Sequence, residues 1–145
     1  MEAPTSPISI RSAVPEDGDE LFILARELST SFQVEKISFQ KSFAQLLLKP
    51  DAFVTVASDG KHLIGYILGF VHGSLYANGT IGWIEEVMVS EQWRRHGVGS
   101  DLVGSFESWA KSHDSKLIAL ATRRASPFYL GLEYEESATY FCKLL

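Results

Sequence analysis

One stretch near the middle of the chain, residues 83–102, constrains the fold more than any other. It reads W-I-E-E-V-M-V-S-E-Q-W-R-R-H-G-V-G-S-D-L. The apolar run 84–89, interrupted by two glutamates, predicts a strand, and a loop rich in arginine and glycine follows at 94–100. The apolar residues after this loop recur at helical spacing and predict one buried helix face: Val98, Leu102, Val103, Phe106, Trp109 and Ala110. The stretch therefore predicts a strand, a tight basic turn and a helix that starts at once.

A turn of this kind is suited to binding an anion. The first backbone N–H groups of a helix have no intrahelical partner, and the helix dipole places partial positive charge at the same end. Gly97 and Gly99 allow close approach of the backbone to a phosphate, and Arg94 and Arg95 add formal charge. A Walker loop would need a lysine after its last glycine, and a dinucleotide fingerprint would need a glycine where Leu102 stands. The pattern that fits is R-x-x-G-x-G.

The rest of the chain does not show the strict strand–helix alternation of a dinucleotide-binding fold. Strands are predicted at 8–11, 52–58, 62–71, 117–122 and 139–144, with helices after Pro15 and at 38–49 and 126–130. An Asp-Gly pair at 59–60 predicts a hairpin, and 76–79 predicts a second turn. The order β-α-α-β-β-β-α-β-α-β predicts a mixed α/β (α+β) fold, with a central mixed sheet flanked by helices on both faces.

Length and composition limit the class of protein. With 145 residues, 46% hydrophobic and 21% charged, the chain is expected to form one domain over 1–145. The net charge of −5 argues against a nucleic-acid partner, and no apolar run is long enough to span a membrane. The single Cys142, in the apolar last strand, is expected to be a small buried hydrophobe. The first seven residues lack the order of a signal peptide, so we expect a cytoplasmic protein, monomeric or homodimeric.

Three segments together resemble one family, the GNAT superfamily of acetyl-CoA-dependent N-acetyltransferases. R-x-x-G-x-G resembles the family's pyrophosphate loop. The segment F-Y-L-G-L-E-Y-E at 128–135 is similar to the family's late F-Y-x-x-x-G-F/Y-x segment, and the opening 8–21 resembles its first strand and helix. The element order agrees as well, so the resemblance covers nearly the whole chain. It implies acetyl-CoA as co-substrate, and the four histidines show no metal-ligand spacing that would add a metal.

The resemblance also implies where the co-substrate binds. The backbone of Val87, Met88 and Val89 would pair with the pantetheine arm as though it were an added strand. The loop would hold the pyrophosphate through Arg94, Arg95, His96, Gly97, Val98, Gly99 and Ser100. Thr122 stands where many members carry an asparagine that touches the cofactor.

Acetyl transfer to an amine requires a proton acceptor for the amine and a proton donor for the departing thiolate. Glu85 and Glu86 are the candidate acceptors, and the resemblance favours Glu85. Adjacent strand residues point to opposite faces, so only one of them can face a given ligand unless a bulge intervenes. The resemblance implies Tyr129 as the donor. Glu133 replaces the glycine usual before the aromatic, which would strain a turn that needs positive φ there.

These observations predict an N-acetyltransferase that moves an acetyl group directly, in a ternary complex, to a primary amine of a small molecule. Its acceptor pocket has five candidate aromatic residues: Phe32, Phe39, Tyr76, Trp83 and Tyr140. Two alternatives stay open. One is a protein or peptide N-acetyltransferase, and the other is a non-catalytic acyl-CoA-binding regulatory module.

Overall fold

A computed structural model describes residues 7–145 as a five-stranded sheet with helices on both faces. In chain order the elements are β1 (Ser9–Ser12), α1 (Gly18–Leu28), α2 (Lys36–Leu47), β2 (Ala52–Ser58), β3 (Leu63–Gly73), β4 (Thr80–Val89), α3 (Val98–Ser112), β5 (Ser115–Leu120) and α4 (Ser126–Gly131). The strands lie in sequence order, antiparallel throughout except that β4 and β5 are parallel. The predicted mixed α/β arrangement is confirmed through α4.

Alternation along the strands divides the core between the two faces of the sheet. On one face, Leu21 and Leu24 of α1 and Phe43 of α2 pack with Tyr66 and Met88 of the central strands. On the other face, Ile67 and Ile84 pack against α3, whose predicted apolar face is confirmed. Because helices cover both faces, the central strand β3 is buried over most of its length.

A β-bulge interrupts the pairing of β3 with β4. Leu68 pairs with Glu86, whereas the next residue, Gly69, pairs with Ile84, which leaves Glu85 as an extra residue in β4. Gly69 has no room for a side chain, because a Cβ there would lie 2.2 Å from a ring carbon of Phe106. The bulge therefore lies directly over the best-buried aromatic residue of α3, and it reverses the alternation of side chains within the β4 segment that carries both glutamates.

The predicted last strand is wrong. Residues 139–144 pair with no strand among residues 7–145, and Cys142, expected to be buried there, is exposed. Apolar and aromatic residues show that a segment could form a strand but not that a strand edge is positioned to receive it, so the local composition was insufficient. The segment still touches the sheet, since the Tyr140 ring stacks at 6.5 Å from that of Trp83. No helix in the described part of the chain has the length and apolarity needed to cross a membrane.

Candidate active site

The edge of β4 beyond the bulge is open on the side of β5. The parallel ladder between these strands begins at Thr80 and Ser115 and ends at Ile84 and Leu120. β4 continues past this point, and its residues 86–89 are paired only with β3. Val87 and Val89 pack partly on the α3 side of the core and Met88 is buried on the other side, so the segment is held rigidly. Its free backbone groups can therefore accept an extended chain as an added strand.

A short loop connects this edge to the start of α3. A single turn of 3-10 helix at Glu91–Trp93 precedes it, and the buried Trp93 anchors that turn in the core. Arg94 donates from Nε to the Val89 carbonyl at 3.1 Å, and Arg95 and Gly97 have φ angles of 65° and 80°. His96 is exposed, and its Nδ1 lies 2.8 Å from the Arg94 carbonyl oxygen.

The first turn of α3 has the properties of an anion site. Gly97 is its left-handed N-cap and provides no side-chain cap, so the N–H groups of Val98, Gly99 and Ser100 face outward without an intrahelical partner. A Cβ on Gly97 would meet no other protein atom within 4 Å, which shows that the space in front of the turn is open. A pyrophosphate is therefore compatible with this loop.

The helix α4 packs onto the same turn and carries Tyr129. A Cβ on Gly99 would lie 3.2 Å from the Phe128 ring, so the absence of a side chain at Gly99 allows the two helices to approach closely. The Tyr129 ring is held edge-on between Phe128 and Tyr134, with centroids 4.9 and 5.7 Å away. The Tyr134 hydroxyl in turn donates to Glu107 at 2.8 Å. Burial raises the pKa of Tyr129, so its phenol is protonated at neutral pH.

The end of α4 has a positive φ at position 133, the conformation for which the family's glycine is suited. Glu133 adopts φ 70°, and the Tyr134 N–H donates to the Tyr129 carbonyl while the Glu133 N–H donates to the Leu130 carbonyl. This pair of bonds is the Schellman motif, in which the residue at position 133 is usually glycine. The strained glutamate therefore preserves the geometry after Tyr129. Thr122, by contrast, lies in the turn before α4, where its hydroxyl accepts the Ala125 N–H.

A cavity of about 590 Å³ opens on the opposite face of the sheet, between α1, α2 and the central strands. Apolar side chains form most of its wall, including Leu21, Leu46, Val54, Leu68, Phe39 and Phe43. Of the aromatic residues predicted for an acceptor pocket, Phe32 and Phe39 line this cavity, whereas Tyr76, Trp83 and Tyr140 are not among its lining residues. The cavity is thus built largely by the two early helices and the loop that joins them.

Glu86 brings a carboxylate into this cavity. Its Oε1 accepts a hydrogen bond of 2.6 Å from the hydroxyl of Tyr66, a buried residue of β3 that also lines the cavity. Burial raises the pKa of the Glu86 carboxyl, the Tyr66 hydrogen bond partly offsets that rise, and the nearby Glu85 charge adds to it. Burial, together with the neighbouring Glu86 charge, also raises the pKa of Tyr66, so the tyrosine acts as a donor to the carboxylate.

Glu85 lies outside the cavity. As the extra residue of the bulge it is exposed, and its Oε2 accepts a 2.6 Å hydrogen bond from Nε1 of Trp83. Glu86 therefore lines the cavity, whereas Glu85 is exposed on the bulge and bonded to Trp83. Tyr66 was not among the predicted site residues, because a tyrosine within an apolar strand gives no sign that a residue twenty positions later will contact its hydroxyl.

Among residues 7–145, no group of three or more His, Cys, Asp or Glu side chains is arranged to hold a metal ion. Comparison with known proteins agrees with the geometry. Residues 20–132 match the acetyltransferase (GNAT) family. The chain is 30% identical, over 94% of its length and 90% of the relative, to an aminoalkylphosphonate N-acetyltransferase of Salmonella typhimurium.

Solved structures share the fold. Glucosamine-6-phosphate N-acetyltransferase from Arabidopsis thaliana superimposes with a TM-score of 0.83 at 20% identity, covering 95% of this chain and 98% of that one. An aminoglycoside N-acetyltransferase in complex with CoA has a TM-score of 0.80 at 14% identity, with 99% of both chains covered.

An open strand edge leading into the N-terminus of a helix defines a class of protein that binds an extended, phosphate-bearing ligand. The chain belongs to the GNAT family of acetyltransferases, which use acetyl-CoA as acetyl donor. It is an acyltransferase of the N-acetyltransferase type.

Proposed function

We propose that this N-acetyltransferase transfers the acetyl group of acetyl-CoA directly to the primary amine of a small molecule, with both substrates bound together. The observation that carries the proposal is the position of Glu86, whose carboxylate lies in a cavity on the strand that also presents the open edge. The relative from Salmonella, named for an aminoalkylphosphonate, supports a small acceptor. The cavity volume of about 590 Å³ is also in the range typical of small-molecule sites.

The donor would bind along β4 and α3. The free backbone of Val87, Met88 and Val89 is suited to pair with the pantetheine arm, and the N–H groups of residues 95–100 are suited to hold the pyrophosphate. Arg94 is already bonded to the Val89 carbonyl, so we assign it chiefly to holding the loop in shape. Acetyl-CoA supplies an acetyl thioester, whose C–S bond breaks as the C–N bond to the amine forms.

Glu86 is the proposed proton acceptor. An alkyl amine with a pKa near about 10 is mostly protonated at neutral pH, and it must lose a proton to attack a carbonyl carbon. The raised pKa of Glu86 makes its ionised form a better acceptor than an exposed glutamate, either directly or through one water. Tyr66 positions the carboxylate by donating to one of its oxygens. The same charge would attract the cationic amine into the cavity.

Tyr129 is the proposed proton donor to the departing sulfur. Its phenol is protonated at neutral pH, and its neighbour Phe128 on α4 packs against Gly99 in the turn that would bind the pyrophosphate. Glu86 would gain one proton from the amine nitrogen, and Tyr129 would give one proton to the sulfur, so each turnover moves one proton from the acceptor side to the donor side. After each turnover the two groups can therefore return to their starting states by exchange with solvent.

Initial-rate kinetics with both substrates varied would test the proposal. We expect primary amines to release free CoA, with intersecting double-reciprocal lines and no acetylated protein when acetyl-CoA is supplied alone. Parallel lines together with an acetylated protein would contradict direct transfer. Turnover of lysine-containing peptides but of no small amine would instead establish the peptide alternative.

A further inference from the structure

The charges around the cavity are of one sign. In the described chain its lining contains two ionisable acids, Glu86 and the exposed Glu35, and includes no lysine, arginine or histidine. The negative charge of Glu86 is partly buried, and its one hydrogen-bond donor is the neutral Tyr66 hydroxyl. No cationic side chain of the wall is therefore available to pair with an anionic group on a ligand.

The other polar groups of the wall add no positive charge to the cavity. Ser29, at the end of α1, donates its hydroxyl proton to the Phe32 carbonyl and accepts from the Phe32 N–H, so it is already used within the loop. The remaining polar side chains of the wall are uncharged, namely Gln33, Ser38 and Ser42. The other lining side chains are aliphatic or aromatic and come from both helices and from strands β2 and β3. A ligand whose nitrogen approaches Glu86 would place the rest of its body against that apolar surface.

We infer that the acceptor is a primary amine on an uncharged, apolar body, such as an arylalkyl or alkyl chain, and that amines with an anionic tail are poor acceptors. The inference rests on the proposed function and specifies its substrate class. An apolar tail gains from leaving water for this wall. A phosphonate or carboxylate tail would lose its hydration, find no cation and face Glu86 at the same time.

A matched pair of amines tests the inference. 3-Phenylpropylamine and 3-aminopropylphosphonate have the same three-carbon spacer and differ in the terminal group. We expect kcat/KM, followed by CoA release, to be about 100-fold higher for the phenyl compound. An equal or higher value for the phosphonate would overturn the inference and leave the proposed function intact. If neither compound nor any other small amine is acetylated, the proposed function fails together with the inference.

A charge added to the wall provides a second test. Val34 lies half-buried in the loop between α1 and α2 and lines the cavity, so Val34→Arg adds a cation with little change to the folded core. We expect the preference for the phenyl compound to fall by at least about 10-fold, because one charged hydrogen bond is sufficient for that change.

Leu48→Arg is the matched control, because Leu48 is exposed at the end of α2 and does not line this cavity. It should leave the ratio within about 2-fold of the unmodified protein. If Val34→Arg leaves the ratio unchanged as well, the body of the acceptor binds elsewhere and the inference is overturned.

Discussion

Removal of one hydroxyl group should shift the pH dependence of the enzyme. In Tyr66→Phe, Glu86 loses the donor that lies 2.6 Å from its Oε1, while the aromatic ring that fills the core is retained. The hydrogen bond favours the ionised carboxylate, so its loss must raise the pKa of Glu86 further above the usual value. Glu86 would then need a higher pH to become a proton acceptor.

The size of the shift follows from the strength of the bond. A hydrogen bond to a charged group is worth about 1.5–3 kcal/mol, and each pKa unit corresponds to about 1.4 kcal/mol. The acidic limb of the kcat/KM profile should therefore move up by about one to two pH units, and the rate should recover above the new pKa. The stability of the variant also depends on pH. When the pKa of Glu86 is higher in the folded chain than the value of about 4.3 in the unfolded chain, its contribution favours folding below about pH 4.3 and is lost as the pH rises through the folded pKa. The variant should lose more stability at pH 8 than at pH 5.

The assay is the rate of CoA release with one amine between about pH 5 and 9. Because the amine is the same throughout, its own ionisation contributes equally to every profile. Tyr76→Phe removes an exposed tyrosine hydroxyl and is the control, for which we expect an unshifted profile. An acidic limb that stays in place in Tyr66→Phe, or a loss of rate that is uniform across the range, would refute the assignment of Tyr66 as a positioning residue for an ionising Glu86.

Three further substitutions test other parts of the site. Tyr129→Phe should lower kcat by about 100-fold in rapid kinetics and change acetyl-CoA affinity by less than about 3-fold in calorimetry. An unchanged kcat would remove Tyr129 as the proton donor. Gly97→Val forces a β-branched residue into φ 80° and places its Cβ in open space in front of the turn. Calorimetry should then show acetyl-CoA binding weakened by about 10-fold or more, and unaltered affinity would argue against this turn as the phosphate site. Glu133→Gly relieves the φ of 70° and should raise the unfolding temperature by about 2–4 °C, whereas a lower temperature would show that the glutamate side chain stabilises the turn.

The parts of the site that the sequence predicts correctly depend on neighbours along the chain. The buried face of α3 and the start of this helix directly after the Gly-x-Gly loop follow from spacing and turn chemistry within about fifteen residues. The resemblance drew attention to Glu133 as a replacement for glycine, and the Schellman motif that gives this position its φ of 70° is complete within about six residues.

The parts that could not be predicted depend on pairing between distant segments. The exposed position of Glu85 results from the bulge opposite Leu68 and Gly69, and the pairing register of two strands is not encoded within either one. The Tyr66–Glu86 hydrogen bond requires that same register. The prediction of a last strand was wrong for the same reason, because 139–144 has the apolar composition of a strand but no partner strand among residues 7–145.

The central claim is that Glu86, and not its neighbour, accepts the proton from the amine. Glu86→Gln and Glu85→Gln make the same chemical change at adjacent positions, one lining the cavity and one exposed on the bulge. The most direct measurement is kcat of the two variants with the same primary amine at saturating acetyl-CoA. The account predicts a loss of about 100-fold or more for Glu86→Gln and less than about 3-fold for Glu85→Gln. The opposite ranking, or equal rates in both variants, would contradict it.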